Sequence, residues 1–439
     1  MTTVLSALAP RWDGPVVAAL EGSGQVRIAR RCADLADLLA AAAAGHGRVA
    51  LVGADLRGLS LSAIARLHEV GVAVVGVSDP GDEATELRLW QLGVAAVVEA
   101  TAAPPDLVAA VLAAAQAPGV AEPDPTAGHG FAAGPEVSVP PVLVREQRGR
   151  VLAVWGPAGA PGRTTVAVNL AVELATLGHE TLLVDADTYG GCVAQTLSVL
   201  DEAPGIAAAA RSADLGTLDL VALARLALVL GPRLRVLTGI PTASRWTEIR
   251  GAALERVLDV GRSLAAWVVV DVAAGLEDDE ELSYDTLAPR RNQATLSVLD
   301  AADALVAVGG CDPVSLQRLV RGLQELGTVR APTPLVVVNR VRPGAIGSDP
   351  ERQVRESLAR FAGVGDLHVV PDDPVALDAA MLAGRALAEC APTAPSRRAL
   401  AALAARLAGA GDHVDAGHRP AGSARRTGLL GRRGDPTRI

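Results

Sequence analysis

The sequence predicts an α/β protein with two doubly wound parallel sheets, each covered by helices on both faces. Short apolar runs alternate with helical stretches through most of the chain, which is the pattern of consecutive strand–helix–strand units. In the second half these runs consist mainly of Val, Leu and Ala, as expected for strands that are buried on both faces. A Pro- and Gly-rich segment at residues 116–148 lies between the two halves and predicts a linker.

The composition is that of a soluble protein with room for two or three domains in its 439 residues. Half of the residues are hydrophobic, but only 2% are aromatic. The net charge of −9 argues against general nucleic-acid binding, so we expect no specific nucleic-acid partner. Four single cysteines predict neither a zinc site nor a disulfide framework. With no signal pattern and no apolar run of about 18 residues, we expect a cytoplasmic protein.

Residues 1–115 predict the first sheet, after a loose lead-in at residues 1–14. Each apolar run is followed by a helical stretch, which favours five parallel strands. The predicted strands are Val16–Leu20, Gln25–Ala29, Arg48–Gly53, Val72–Val77 and Ala95–Val98. The predicted helices are Asp34–Ala44, Ser60–Val70, Glu83–Leu92 and Pro105–Ala115.

This first unit resembles a response-regulator receiver domain, which has the flavodoxin-like fold. Asp55 follows the third strand at the position of a receiver's phospho-acceptor, and Ser78 follows the fourth. The acidic pair after the first strand is missing, with only Glu21 nearby, and Glu99 replaces the receiver's lysine. Without metal ligands and a cation, phosphoryl transfer to Asp55 lacks charge neutralisation. We therefore expect a pseudo-receiver that is used for docking.

Residues 149–408 predict the second unit, whose informative residues lie where strands end. In a doubly wound sheet, ligands bind beyond the carboxyl ends of the strands. The predicted strands are Val151–Trp155, Thr181–Val184, Leu234–Leu237, Trp267–Val270, Ala304–Val308, Pro334–Val338 and Leu367–Val370.

The first of these strands leads into the stretch around which the chain is organised. A Gly/Pro-rich loop at residues 156–162 follows the strand, and a helix is predicted to begin near Thr164. Such a loop presents backbone N–H groups and the positive end of a helix dipole, which suits a phosphate group. Gly162-Arg163-Thr164 stands where a P-loop has Gly-Lys-Ser/Thr, and Pro157 replaces its first Gly. The alternative is an ordinary strand–turn–helix joint.

Four further strands end in polar residues, in a fixed order after this loop. Each alone is explained equally well as a helix cap or a turn residue. Together they favour a ligand site at one edge of the sheet. They are Asp185 and Asp187, Asp271 with Gly275 four residues later, Asn339-Arg340, and Pro371-Asp372.

The order of these motifs resembles the MinD/ParA class of deviant Walker P-loop ATPases over nearly all of residues 149–408. The resemblance implies ATP and Mg²⁺ as ligands. Gly159, Gly162 and Arg163 would cradle phosphates, with Thr165 at the α-phosphate. Thr164 and Asp271 would hold magnesium, and Asp187 would orient the attacking water with support from Asp185. The adenine would be read by Asn339, Arg340, Pro371 and Asp372.

Two departures from the family pattern bear on activity. Ala158 stands at the family's signature lysine and Arg163 at the Walker lysine, and the whole chain has no lysine among its 40 basic residues. Loss of a cation near a transferring phosphoryl group lowers the rate, so we expect ATP binding to survive more readily than hydrolysis. One hypothesis is that Arg290 or Arg291 supplies the lost cation, in cis or across a dimer, and the alternative is a solvated charged loop.

A receiver-like domain fused to a MinD-like ATPase resembles the CpaE/TadZ group and septum-site-determining-like proteins. The resemblance implies a homodimeric switch that positions a Flp (Tad) pilus or a septum through protein partners. Recruitment to the inner face of the membrane or to a cell pole follows from this expectation. The alternatives are a docking scaffold that does not hydrolyse ATP and a ParA-type partitioning ATPase. For residues 409–439 we expect a disordered basic tail, with weak contact with anionic lipid as an alternative.

Overall fold

The computed structural model describes residues 1–116, 148–200, 203–278, 289–344 and 346–415. Apart from its first residue and its last, the predicted linker at 116–148 lies outside these ranges, and so does the predicted tail from residue 416 onwards. The described residues form two parallel sheets, of five and eight strands, each packed between helices. The α/β fold class is therefore confirmed.

The first sheet is wholly parallel, with strand order β2-β1-β3-β4-β5. This is the order of flavodoxin-like folds. Helices α1 and α5 cover one face, and α2 to α4 cover the other. The strands are β1 (Thr2–Ala7), β2 (Val26–Arg31), β3 (Val49–Gly53), β4 (Ala73–Ser78) and β5 (Ala96–Glu99). The helices are α1 (Pro10–Glu21), α2 (Leu35–Ala43), α3 (Leu61–Glu69), α4 (Glu83–Gln91) and α5 (Pro104–Gln116).

The prediction of a strand at Val16–Leu20 was wrong, because these residues belong to helix α1. A short apolar run is compatible with either a buried strand or a helix, and here Pro10 starts the helix. Val16, Val17 and Leu20 are buried on one helical face. The first strand is instead Thr2–Ala7, within the expected lead-in.

The second sheet has the order β13-β12-β11-β6-β10-β7-β9-β8 and is parallel except for β8, which pairs antiparallel with β9. Strand β8 was not predicted from the sequence. The strands are β6 (Arg150–Trp155), β7 (Thr181–Ala186), β8 (Leu228–Gly231), β9 (Leu234–Leu237), β10 (Trp267–Val272), β11 (Ala304–Gly310), β12 (Pro334–Val341) and β13 (Leu367–Pro371).

Helices pack on both faces of this sheet, and a 3₁₀ helix (Ala243–Glu248) lies before α10. The last helix continues to Asp415, so the expectation that the disordered tail begins at residue 409 was wrong for residues 409–415. The helices are α6 (Arg163–Thr176), α7 (Val193–Thr196), α8 (Gly205–Asp214), α9 (Leu220–Leu226), α10 (Gly251–Leu264), α11 (Gln293–Ala301), α12 (Pro313–Leu326), α13 (Pro350–Ala362), α14 (Pro374–Ala383), α15 (Leu387–Cys390) and α16 (Pro395–Asp415).

Strand β6 shows how the alternating pattern builds two cores. Val151, Ala153 and Trp155 pack in the core that includes Leu254 of α10. Their neighbours in the strand, Leu152 and Val154, point into the core formed with α6 and α16. Because successive side chains of a strand point to opposite faces, one apolar run serves both layers. The result is a rigid central strand whose carboxyl end leads into the Gly/Pro-rich loop.

The two sheets are joined by direct contacts between helices. Ser62, in the first turn of α3, donates from its backbone N–H (3.0 Å) and its hydroxyl (2.5 Å) to the Asp214 carboxylate at the end of α8. Arg88 of α4 donates from Nε to the Leu215 carbonyl oxygen at 3.1 Å. Leu92 packs against Gly216 in the same place. The end of α8 is thus one docking point of the first sheet's helices, and helix α3 also packs against α10.

None of the helices in the described ranges combines the length and the apolar character that crossing a bilayer requires.

Candidate functional site

The loop between β6 and α6 has the geometry of a phosphate cradle. Gly162 has φ +88°, and a β-carbon there would lie 2.4 Å from Asn339 Nδ2, so a side chain is excluded. The first helical hydrogen bond runs from Val166 N–H to the Gly162 carbonyl oxygen. The amides of Arg163, Thr164 and Thr165 come before Val166 in the first turn, so helix α6 offers them no carbonyl partner. They lie at the positive end of the helix dipole. These residues can therefore donate to an anion.

Thr164 faces the end of strand β10. Its hydroxyl donates to Asp271 Oδ2 at 2.6 Å. Asp271 is fully buried, and its other oxygen, Oδ1, has no hydrogen-bond partner within the described part of the chain. A buried carboxylate oxygen without a partner is costly unless the group is neutral or meets a cation. Burial accordingly raises the pKa of Asp271 to about 8.

The residues at this point fit a magnesium ion bound together with phosphates. Hydroxyl and carboxylate oxygens are hard ligands, and Mg²⁺ is commonly held by one or two such groups plus substrate oxygens. Among the residues that the structure describes, no cluster of three or more His, Cys, Asp and Glu could hold a metal on its own. Thr164 and Asp271 are thus a partial donor set that a nucleotide would complete.

The end of strand β7 lies beside Asp271. Asp185 pairs with Asp271 across the two strands and accepts hydrogen bonds from the amides of Asp187 (3.2 Å) and Val193 (3.0 Å). Burial raises the pKa of Asp185 to about 6. Asp187 is also buried, and its Oδ1 accepts from the amides of Tyr189 at 2.9 Å and Gly190 at 3.0 Å. Asp185 therefore supports the turn from which Asp187 points toward the loop.

Arg163, at the position of the Walker lysine, is bound to this aspartate. Its Nη2 lies 3.1 Å from Asp187 Oδ2, and its Nη1 donates to the Gly156 carbonyl oxygen at 3.4 Å. The structure thus joins Arg163, the proposed replacement of the Walker lysine and a candidate catalytic residue, to Asp187, the candidate water-orienting residue, as an ion pair. The sequence analysis did not foresee this pair, because it depends on the loop conformation.

The residues expected to read adenine lie at the neighbouring strand ends, β12 and β13. Asn339 is buried and donates from Nδ2 to the Pro161 carbonyl oxygen of the loop at 3.0 Å. Arg340 is exposed and has φ +57°, an uncommon value for a non-glycine residue. Asp372 accepts from Arg342 at 3.0 Å, one residue after Pro371. The structure brings Asn339 to the loop, and Arg340 lines a pocket together with Gly159 and Pro161 of the loop. Pro371 and Asp372 are not among the residues that line this pocket.

Neither Arg290 nor Arg291 reaches the loop within this chain, and the hypothesis that one of them supplies the cation across a dimer stays a prediction. Arg290 forms an ion pair with Asp278 at 2.9 Å. Arg291 donates to the Thr188 hydroxyl at 3.0 Å and carbonyl at 3.1 Å, and its guanidinium lies over the Tyr189 ring. Both guanidinium groups are therefore engaged away from the loop.

Two residues near the loop were not predicted from the sequence as site residues. Cys192 places its sulfur 3.6 Å from the Thr164 hydroxyl. Arg318 of α12 places Nη1 2.3 Å from the point that a β-carbon on Gly159 would occupy. Neither belongs to a motif with a fixed spacing, so no sequence signal marks them.

Asp55 of the first sheet lies apart from this site. It lines a pocket of about 190 Å³ at the carboxyl ends of β1, β3 and β4, together with Arg11 and Asp79. Arg11 and Asp79 form an ion pair across the pocket at 2.7 Å. Ser78 is buried and donates to Glu86. The structure therefore places Asp55 two residues after strand β3, and both the receiver resemblance and the role of this residue stay predictions.

The fold and the loop geometry together define an α/β protein with a P-loop type of nucleotide-binding domain. A model of the CobQ/CobB/MinD/ParA nucleotide binding domain matches residues 152–381, more than half of the chain. The chain belongs to this family.

Relatives agree with this assignment. The chain is 26% identical to the chromosome partitioning protein ParA of Caulobacter vibrioides over 193 residues, which cover 41% of this chain and 63% of that protein. It is 32% identical to an uncharacterized protein of Mycobacterium tuberculosis over 164 residues, covering 37% of this chain and 40% of that one. The matches thus span less than two thirds of each relative.

A solved structure confirms the fold. The crystal structure of a ParA family ATPase from Chlorobium tepidum superposes with a TM-score of 0.51 and 19% sequence identity. The superposition covers 59% of this chain and 99% of that one.

Proposed function

We propose that this chain is an ATP- and Mg²⁺-binding switch protein that hydrolyses ATP slowly. The observation that carries the proposal is the meeting of Thr164, the half-satisfied Asp271 and the oriented Asp187 at one phosphate cradle. Phosphoryl transfer depends on positioning and on charge neutralisation rather than on covalent chemistry from the protein. Thr164 and Asp271 would hold Mg²⁺, which when bound neutralises charge on the phosphates. The loop amides would bind the phosphates, and Asp187 would orient the attacking water.

Slow turnover is proposed because the P-loop cation is an arginine. Lysine serves phosphates as a compact point charge, whereas the arginine fork is larger and planar. Arg163 also forms an ion pair with Asp187, so the cation and the water-orienting carboxylate bind each other instead of the nucleotide and the water. The pair must separate before Arg163 can reach a phosphate and Asp187 a water molecule.

The test is ATP binding and single-turnover hydrolysis by the full chain and by Asp187→Ala. Loss of the water-orienting group is expected to lower the rate about 10²-fold or more. ATP binding should not weaken, because the same change frees Arg163 to reach the phosphates. Glu83→Ala, at an exposed residue of α4, is the control and should match the wild type. Equal rates in the wild type and Asp187→Ala would contradict the assignment of Asp187.

A docking scaffold that binds ATP without hydrolysing it is the second candidate. It is favoured by the ion pair of Arg163 with Asp187 and by Pro157 and Pro161, which remove two N–H donors from the loop. Binding without turnover in the wild type, Asp187→Ala and Arg163→Ala alike would establish this candidate instead.

At the cellular level we propose a homodimer that positions a cell-envelope apparatus, a Flp (Tad) pilus or a septum, through protein partners at the inner face of the membrane. Support comes from membership in the MinD/ParA family and from the receiver-like first sheet. The Caulobacter relative named for chromosome partitioning favours a ParA-type role instead, whereas the net charge of −9 disfavours DNA binding. Sedimentation with and without ATP tests the dimer. Retardation of DNA at low salt would favour partitioning.

A further inference from the structure

Arg291 is held between two aromatic rings and the backbone of another segment. Its guanidinium carbon lies 3.5 Å from the centre of the Tyr189 ring and 5.2 Å from that of Trp246. The same group donates to Thr188 twice, through the hydroxyl and the carbonyl oxygen. Only a planar guanidinium can stack on a ring and bind two acceptors at once. Arg291 is therefore fixed on the turn that follows strand β7.

This turn carries the carboxylate of Asp187. The amides of Tyr189 and Gly190 both donate to Asp187 Oδ1, so the orientation of the carboxylate depends on the path of the backbone from residue 187 to residue 190. Arg291 binds Thr188, within this path, and stacks on Tyr189. A displacement of the turn would therefore rotate or shift the carboxylate.

Asn292, the next residue, extends the same connection to strand β10. It accepts a hydrogen bond from the Tyr189 hydroxyl at 2.8 Å and donates to the Glu277 carbonyl oxygen at 2.8 Å. A β-carbon on Gly275 would lie 2.5 Å from Asn292 Oδ1, so the backbone after Asp271 passes close to this side chain. Two consecutive residues before helix α11 thus join the segments that follow Asp187 and Asp271.

Building on the proposed function, we propose that Arg291 is a positioning residue that fixes the turn at residues 187–190 and so sets the Asp187 carboxylate for hydrolysis. Arg291 acts through Thr188 and Tyr189. Within the described residues its hydrogen bonds go only to Thr188 and none goes to the phosphate-binding loop. Its loss therefore lowers turnover and leaves nucleotide affinity unchanged. Arg290 has no part in this connection, since it pairs with Asp278.

The experiment compares Arg291→Ala and Arg291→Lys with Arg290→Ala in the full chain. It measures amide hydrogen exchange of Tyr189 and Gly190, the Kd for ATP and the single-turnover rate. For Arg291→Ala we expect exchange about fivefold faster or more at both amides, because the turn opens more often. We also expect a rate about tenfold lower or more, with the Kd within about twofold. Arg291→Lys should recover part of the protection, and Arg290→Ala should match the wild type.

Three results would overturn the proposal: unchanged exchange in Arg291→Ala, equal acceleration in Arg290→Ala, or faster exchange with an unchanged rate. Failure of the proposed function would look different, because the wild type itself would not bind ATP or would bind it without turnover. If ATP is bound without turnover, or not bound, the exchange comparison alone decides whether Arg291 fixes the turn.

Discussion

The carboxyl group of Asp271 makes the candidate site sensitive to pH at the scale of a single residue. Burial raises its pKa to about 8 in the folded protein, well above the value of an exposed aspartate. Because the folded-state pKa is the higher one, the stability from this group is full at low pH and is lost as the pH rises through about 8. A cation at the site would reverse this loss, since it stabilises the ionised form.

We therefore predict opposite effects of Asp271→Asn with and without magnesium. In chelator at about pH 8.5 the variant should melt at a higher temperature than the wild type, and the difference should shrink toward about pH 6. With Mg²⁺ and ATP the wild type should melt higher, because only the carboxylate binds the cation. Thermal unfolding followed by circular dichroism measures both series. A variant that melts below the wild type at every pH in chelator would contradict this account of Asp271.

At the scale of secondary-structure elements, one buried ion pair links helix α16 to helix α6. Arg397 binds both oxygens of Glu173, at 2.7 Å from Nε and 2.9 Å from Nη2. The Glu173 side chain is only 4% exposed, so removal of the arginine leaves a buried charge without its partner.

We predict that Arg397→Ala lowers the free energy of unfolding by about 3 kcal/mol. Arg398→Ala is the matched control, because Arg398 is exposed on the same helix. Urea unfolding of both variants measures the difference. An effect of Arg397→Ala no larger than that of Arg398→Ala would show that the pair contributes nothing to stability.

The contact between the two sheets offers a second prediction at this scale. Gly216 has φ +69°, and a β-carbon there would lie 2.9 Å from two carbons of Leu92. Leu92 directly follows helix α4, which packs on the first sheet. Gly71 has a similar φ of +75° with no atom within 4 Å. Gly216→Ala and Gly71→Ala therefore share the backbone strain of about 1 kcal/mol, but only the first disturbs the contact.

We expect calorimetric unfolding of Gly216→Ala to separate into two transitions, because the first sheet loses its docking point on α8. Gly71→Ala should unfold in the same pattern as the wild type, at a slightly lower temperature. A single unchanged transition in Gly216→Ala would mean that the contact at Leu92 does not couple the two sheets.

Prediction of elements from the sequence succeeded where a periodic pattern was long or repeated. The strand Leu234–Leu237 has the predicted bounds, and each of the other predicted strands of the second sheet extends by one to three residues at one end. Helix α1 was mistaken for a strand because its apolar residues are contiguous, and β1 was missed because Thr and Ser interrupt it. Strand β8 has only four residues, and its apolar run is continuous with the end of helix α9, so the pattern does not separate the strand from the helix.

At the scale of the whole molecule, the sequence indicated the candidate site because parallel strands end at one edge. Asp185, Asp271 and Asn339 lie at the carboxyl ends of their strands, and Asp187 follows β7. These ends meet at the edge of the sheet that carries the loop. The contacts between loops were beyond prediction. The pairing of Arg163 with Asp187 and the stacking of Arg291 on Tyr189 depend on backbone paths that no spacing encodes.

The most direct test of the central claim is a calorimetric titration of the full chain with ATP, with and without Mg²⁺, beside Thr164→Val. The account predicts one ATP bound per chain, with an affinity about tenfold lower or more when Mg²⁺ is chelated or the Thr164 hydroxyl is removed. Binding of ATP that depends on neither Mg²⁺ nor Thr164, or no binding at all, would contradict the assignment of this loop as a nucleotide site.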